Sequence, residues 1–172
     1  MKSRDISIVG ICLALGAILR FVANMFPGMI VGNPVIALYC LAIILIKPTI
    51  KEAIGIGLVA GLVSMLISHS IFPPANLISE SIGAVVCLVL YLAIEKKIVL
   101  APAITTFVAT CASGFSFIAV AGIVMLASII AIPTGTVTAF FLAVAPIVLI
   151  TGVFNAVVTQ ILYFPASRVL MR

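Results

Sequence analysis

Long uncharged apolar runs alternate along this chain with short stretches that gather the proline, asparagine and charged residues. The first run spans about Ile6 to Ala23 and gives way to the turn-prone Asn24-Met25-Phe26-Pro27-Gly28. A second, about Pro34 to Ile46, is short for a bilayer span, which takes about 20 residues. It stops at Lys47-Pro48-Thr49-Ile50-Lys51-Glu52, where a proline and three charges cannot stay in hydrocarbon. A third run covers about Ala53 to Phe72. Pro73 to Ser81 then breaks the pattern and offers Ser79 or Ser81 as an N-cap, and a fourth run, about Ile82 to Ile94, closes at Glu95-Lys96-Lys97. From Ile98 to Ile132 there is no charge. A single straight helix of that length would measure roughly 50 Å, so a break is expected. The pattern predicts a fifth span over about 98–120, an apolar connection over about 121–136 broken at Pro133-Thr134-Gly135, and a sixth span over about 137–163. Splitting the uncharged stretch near Ser113-Gly114 would give a seventh.

The composition fits this pattern. Of 172 residues, 65% are hydrophobic and 8% charged, and the mean hydropathy is +1.50, more apolar surface than a soluble domain of this size can bury. The expected fold is therefore all-α: one transmembrane domain over residues 1–172, an integral membrane bundle of six helices in the lipid bilayer, with no soluble domain. A net charge of +5 raises the question of nucleic acid, but the basic residues lie in pairs between apolar runs, which is a topology signal and implies no nucleic-acid partner. Lys2, Arg4, Lys47, Lys51, Lys96, Lys97, Arg168 and Arg172, eight of the nine Lys and Arg, fall on one side of a six-span arrangement. The positive-inside rule then places both termini in the cytoplasm. A seventh span would send Arg168 and Arg172 outward. The basic start before Ile6 resembles a secretory signal peptide, yet Arg20 and the lack of an A-x-A site favour an uncleaved first span.

Candidate chemistry is sparse. The only histidine is His69 and the carboxylates are Asp5, Glu52, Glu80 and Glu95. No zincin, serine-hydrolase or phosphate-loop motif occurs, so neither an enzyme nor a bound cofactor is expected. Cys12, Cys40, Cys87 and Cys111 each sit in an apolar run without metal-ligand spacing, and read as membrane-buried hydrophobes. The outward half collects Arg20, Asn24, Asn33, His69, Asn76, Ser79, Glu80 and Thr134, the kind of sparse polar set that orients a small ligand. Arg20, Asn33, Asn76 and Glu80 are the candidate substrate-binding residues. A zwitterion would suit Arg20 and Glu80, its carboxylate facing one and its ammonium the other. Each has a plainer role: snorkelling for Arg20, complementing a helix dipole or pairing with Arg20 for Glu80, a turn for Asn33-Pro34. Gly10-x-x-x-Ala14 with Ala17, and Gly57-x-x-x-Gly61, let helices approach closely within the chain or against a partner. Asn155 and Gln160 fit interhelical hydrogen bonds.

The chain resembles the substrate-binding S components of energy-coupling factor (ECF) transporters, and within them the tryptophan-specific members. The resemblance covers nearly the whole length. It rests on size, on Lys2-Ser3-Arg4-Asp5 entering a small-residue-rich first helix, on the Asn33-Pro34 opening of span two, and on Lys47-Pro48-x-x-Lys51-Glu52. It implies a bacterial plasma-membrane protein that captures a small-molecule substrate, tryptophan or otherwise a vitamin, from outside. It further implies docking through Gly10, Ala14 and Ala17 on a transmembrane coupling subunit carrying two ATPase subunits. The usual docking pattern is Ala-x-x-x-Ala; here it reads Gly10-x-x-x-Ala14. Two other classes remain open at this level: a self-sufficient secondary transporter, which needs an intramembrane ionisable residue, and a non-transport membrane subunit.

Overall fold

A computed structural model describes residues 1–25, 33–67, 72–127 and 134–170. These form six α-helices, α1 (Ser3–Asn24), α2 (Pro34–Ile46), α3 (Ile50–Ile67), α4 (Ala75–Ile94), α5 (Ala101–Ala127) and α6 (Thr134–Leu170), and no strand occurs among the described residues. Five are long and apolar enough to cross a bilayer; α2 is not. With 13 residues it measures roughly 20 Å, against about 30 Å of hydrocarbon. Six helices are present as the pattern predicts, and the run over 34–46 is the short one among them.

The sequence explains where α2 starts and stops. Pro34 occupies the first turn, where its missing N–H is no loss. At the other end Lys47 takes a left-handed φ of 48° and its N–H closes on the Ile43 carbonyl, while Pro48 prevents continuation. From Pro34 to Ile44 every residue is buried, as expected for a helix apolar on all sides. All five other helices pack on it, so α2 is the axis of the bundle.

Other boundaries move for local reasons. α4 begins at Ala75 instead of near Ile82 because Pro73 and Pro74 carbonyls accept the Asn76 and Leu77 N–H groups and start the helix. Ser79 and Ser81 are therefore not caps: their hydroxyls bond back to the Asn76 and Leu77 carbonyls at 3.5 and 2.7 Å, inside the helix. α5 runs on through Ala121 to Ala127, since nothing in that stretch interrupts it, so that part of the expected connection is helical. No break occurs at Ser113-Gly114. There α6 seats Val148, whose methyl carbons would lie 2.5 and 2.6 Å from a Cβ on residue 114. α6 starts at Thr134 and absorbs Pro146 and Pro165, so the expected tail after Tyr163 is still helix up to Leu170. His69, Phe26 and Arg172 lie outside the described residues.

Large apolar side chains such as Ile11, Ile18, Leu66, Ile123, Leu142 and Ile161 are exposed on the outer faces. A surface of that kind belongs in lipid. At one end of the bundle the Met1 ammonium pairs with Glu52 and Lys47 pairs with Glu95 at 2.5 Å. The Lys47 ammonium also lies 5.8 Å from the Tyr91 ring centre, and Tyr91 donates to Tyr163 at 3.3 Å. These contacts gather the charged starts of α1 and α3, the charged ends of α2 and α4, and Tyr163 of α6. At the opposite end Asn24 ties α1 to α3 through the Ile67 carbonyl, 2.9 Å away.

Candidate functional site

Glu80, on the second turn of α4, is 1% exposed and is the meeting point of the bundle. Its carboxylate accepts hydrogen bonds from Tyr39 of α2 and Ser113 of α5, both at 3.1 Å, and a long one from Ser64 of α3 at 3.5 Å. Asn33, at the head of α2, adds a close fourth through Nδ2. Arg20 of α1 reaches the same place by donating from Nη1 to Ser64 Oγ at 2.8 Å. The Ser64 hydroxyl, which accepts and donates at once, stands between guanidinium and carboxylate. Among the described residues no direct ion pair joins Arg20 and Glu80. A carboxylate in a membrane interior is stable only if paired and hydrogen-bonded, and five helices cooperate to do that here.

Glycine makes the convergence possible. A Cβ at position 57 would lie 2.5 Å from Ser81 Cα and 2.8 Å from the Glu80 carbonyl, and one at position 61 would lie 2.7 Å from the Asn76 carbonyl. The Gly57-x-x-x-Gly61 motif thus packs α3 backbone against α4 backbone within the chain, just beneath Glu80. On the other side of α4, Gly83 faces the Tyr39 hydroxyl, with Ser113 Cβ 3.0 Å from where a methyl would stand. Gly83→Ala is expected to dislodge the Tyr39 hydroxyl from Glu80 and to lower the melting temperature by several degrees, corresponding to about 1–3 kcal/mol of overpacking. Thermal unfolding in detergent measures it.

The candidates read from the sequence divide. Arg20, Asn33 and Glu80 are brought together. Asn76 lies one turn before Glu80 on the same face of α4, buried, with its Nδ2 engaged by the Pro73 carbonyl at 2.7 Å. Among the phenylalanines, Phe21 is exposed on the outer face of α1, while Phe72 and Phe117 are half-buried. Sequence reasoning missed Tyr39, Ser64 and Ser113. A detectable signal was the hydroxyl stripe Thr106, Thr110, Ser113 on α5, which repeats at helical spacing through an otherwise apolar run.

On α6, Asn155 donates from Nδ2 to the Asn33 carbonyl at 3.1 Å and to Thr110 Oγ1 at 3.3 Å, and Gln160 Oε1 accepts from the Ala103 N–H at 3.1 Å. Both make the interhelical bonds their types suggest. On α1, Gly16 packs on α2, where a Cβ would lie 2.9 Å from Val35 Cα, whereas Gly10 has nothing within 4 Å of its Cβ position. Gly10 and Ala14 are exposed and Ala17 is half-buried, so this small-residue stripe faces outward. No cluster of three or more metal-ligating side chains exists among the described residues.

Fold and centre together define a helical membrane protein with one charge-bearing polar core that five helices converge on. Over 176 aligned residues the chain is 26% identical to the probable tryptophan transport protein of Bacillus subtilis (strain 168), an alignment that takes in 100% of this chain and 95% of that protein. No protein family model matches, and no solved structure does.

Proposed function

We propose that this chain is the substrate-binding S component of an ECF-type importer and that it captures a small zwitterion, with tryptophan the first candidate and a vitamin the second. The observation that carries this reading is the buried Glu80, held with Arg20 through Ser64, which offers opposite charges a few ångströms apart in a low-dielectric core. The similarity to a probable tryptophan transport protein adds the substrate and the transport role. In this reading Arg20, Asn33 and Glu80 contact the ligand and Asn76 lines the approach one turn away. The basic end faces the cytoplasm under the positive-inside rule, and the Arg20 end faces outward to receive substrate. Gly10, Ala14 and Ala17 form the docking stripe for the coupling subunit, which brings two ATPase subunits.

Purified alone in vesicles, the chain should bind tryptophan tightly and fail to accumulate it against a gradient. Concentrative uptake by the single chain would sink the proposal. Ala14→Phe should cut uptake by the assembled transporter at least about tenfold, since a bulky side chain prevents close backbone approach, and leave binding by the isolated chain unchanged. Loss of both would place Ala14 in internal packing.

The deep burial of Glu80 also favours a second reading, a self-sufficient transporter coupled to protons, because such proteins place an ionisable residue in the membrane interior. Proton-driven tryptophan uptake by the chain alone, lost in Glu80→Gln, would select it.

A further inference from the structure

Two acceptors are unused on Asn33, which bonds Glu80, and on Asn155, which bonds Asn33. Asn155 is fully buried, and its Oδ1, like Asn33 Oδ1, has no hydrogen-bond donor among the described residues. The identity of these oxygens is fixed by their own amide nitrogens. Asn33 Nδ2 must be the atom that faces the Glu80 carboxylate, and Asn155 Nδ2 the atom that faces the Asn33 carbonyl, because an oxygen in either place would meet another acceptor. Flipping either amide is thus excluded, and both oxygens await N–H or O–H donors. Glu80, by contrast, already accepts four bonds, of which the one from Ser64, at 3.5 Å, is the weakest and the one a ligand donor would replace.

We infer that Asn33 and Asn155, tied by the bond from Asn155 Nδ2 to the Asn33 carbonyl, form a donor-reading subsite in which Oδ1 of Asn155, or that of Asn33, accepts an N–H of the bound substrate. The inference rests on the binding reading above and assigns Asn155, otherwise an interhelical tie, a part in specificity. It predicts a ligand class, small molecules carrying an N–H donor, either a ring N–H or an ammonium. A substrate lacking that donor leaves buried acceptors unpaired, which weakens binding roughly ten- to hundredfold.

The test uses the purified full chain and isothermal titration with three probes: tryptophan, 1-methyltryptophan, which keeps the ammonium and lacks the ring N–H, and indole-3-propionate, which keeps the ring N–H and lacks the ammonium. Tryptophan is expected to bind, and at least one analogue to bind roughly ten- to hundredfold more weakly; the analogue affected names the donor. In Asn155→Leu that penalty should shrink to within about threefold. Asn155→Ser replaces the leucine variant if the latter does not fold. Equal binding of all three probes to the natural chain, as when only water uses these oxygens, overturns the inference together with the role of Glu80 in holding an ammonium, and leaves binding itself standing; a penalty unchanged in Asn155→Leu overturns the inference alone. No binding of any probe overturns both. The expected penalties together with concentrative uptake by the chain alone remove the S-component reading and leave the subsite.

Discussion

Glu80→Gln should keep the bundle folded and lower ligand affinity by about ten- to a hundredfold, the range expected for losing one charge-assisted hydrogen bond. Glutamine has nearly the shape of glutamate. Its oxygen can face Asn33 Nδ2, and its amide can donate to the Tyr39 and Ser113 hydroxyls, which reorient to accept. What is lost is the negative charge opposite Arg20 and, in the proposed binding role, the attraction for a ligand ammonium. Glu80→Leu is a different experiment: it leaves the Asn33 amide and three hydroxyls without their acceptor in the core, and should destabilise the protein by about 3–5 kcal/mol. Titration calorimetry alongside thermal melting separates the two effects. Wild-type affinity in the glutamine variant would show that the carboxylate serves architecture alone.

The second large effect concerns backbone contact. In Gly57→Val the new side chain would begin 2.5 Å from Ser81 Cα, a collision with main chain that no rotamer relieves. Helices α3 and α4 must separate, which costs about 3 kcal/mol or more and carries Ser64, two turns along α3, away from Arg20 and Glu80. Replacing glycine within a helix gains up to about 1 kcal/mol of propensity, too little to offset this. Gly55→Ala is the control, because nothing lies within 4 Å of its Cβ position; it should leave stability unchanged or raise it by up to about 1 kcal/mol. A melting temperature for Gly57→Val equal to that of the natural chain would refute the close α3–α4 packing.

Much of this architecture is legible from apolar runs and charge. The stops at Lys47-Pro48 and Glu95-Lys96-Lys97 mark real helix ends, because proline and charge act locally. Ser79 and Ser81 have the residue type of caps and so point to a later start for α4, and only the three-dimensional chain shows their hydroxyls turned back onto their own helix. Arg20, Asn33 and Glu80 stood out as polar groups in apolar surroundings. Tyr39, Ser64 and Ser113 did not, since a hydroxyl in an apolar helix reads as neutral packing until the helix facing it is known. Asn76 and Glu80 look alike as outward polar residues, yet the turn made by Pro73 engages one while the bundle axis engages the other.

The short, enclosed α2 bears on how the protein enters the membrane during synthesis. A 13-residue helix with no lipid-facing side is too brief to be halted in the bilayer as an independent segment, and alone it would leave its Asn33 amide in hydrocarbon without Glu80. Its insertion therefore has to be joint, as a hairpin with α1 or α3, and completed when α4 delivers Glu80. The polar centre is complete only after Ser113 of α5, well past the middle of the chain, has left the ribosome.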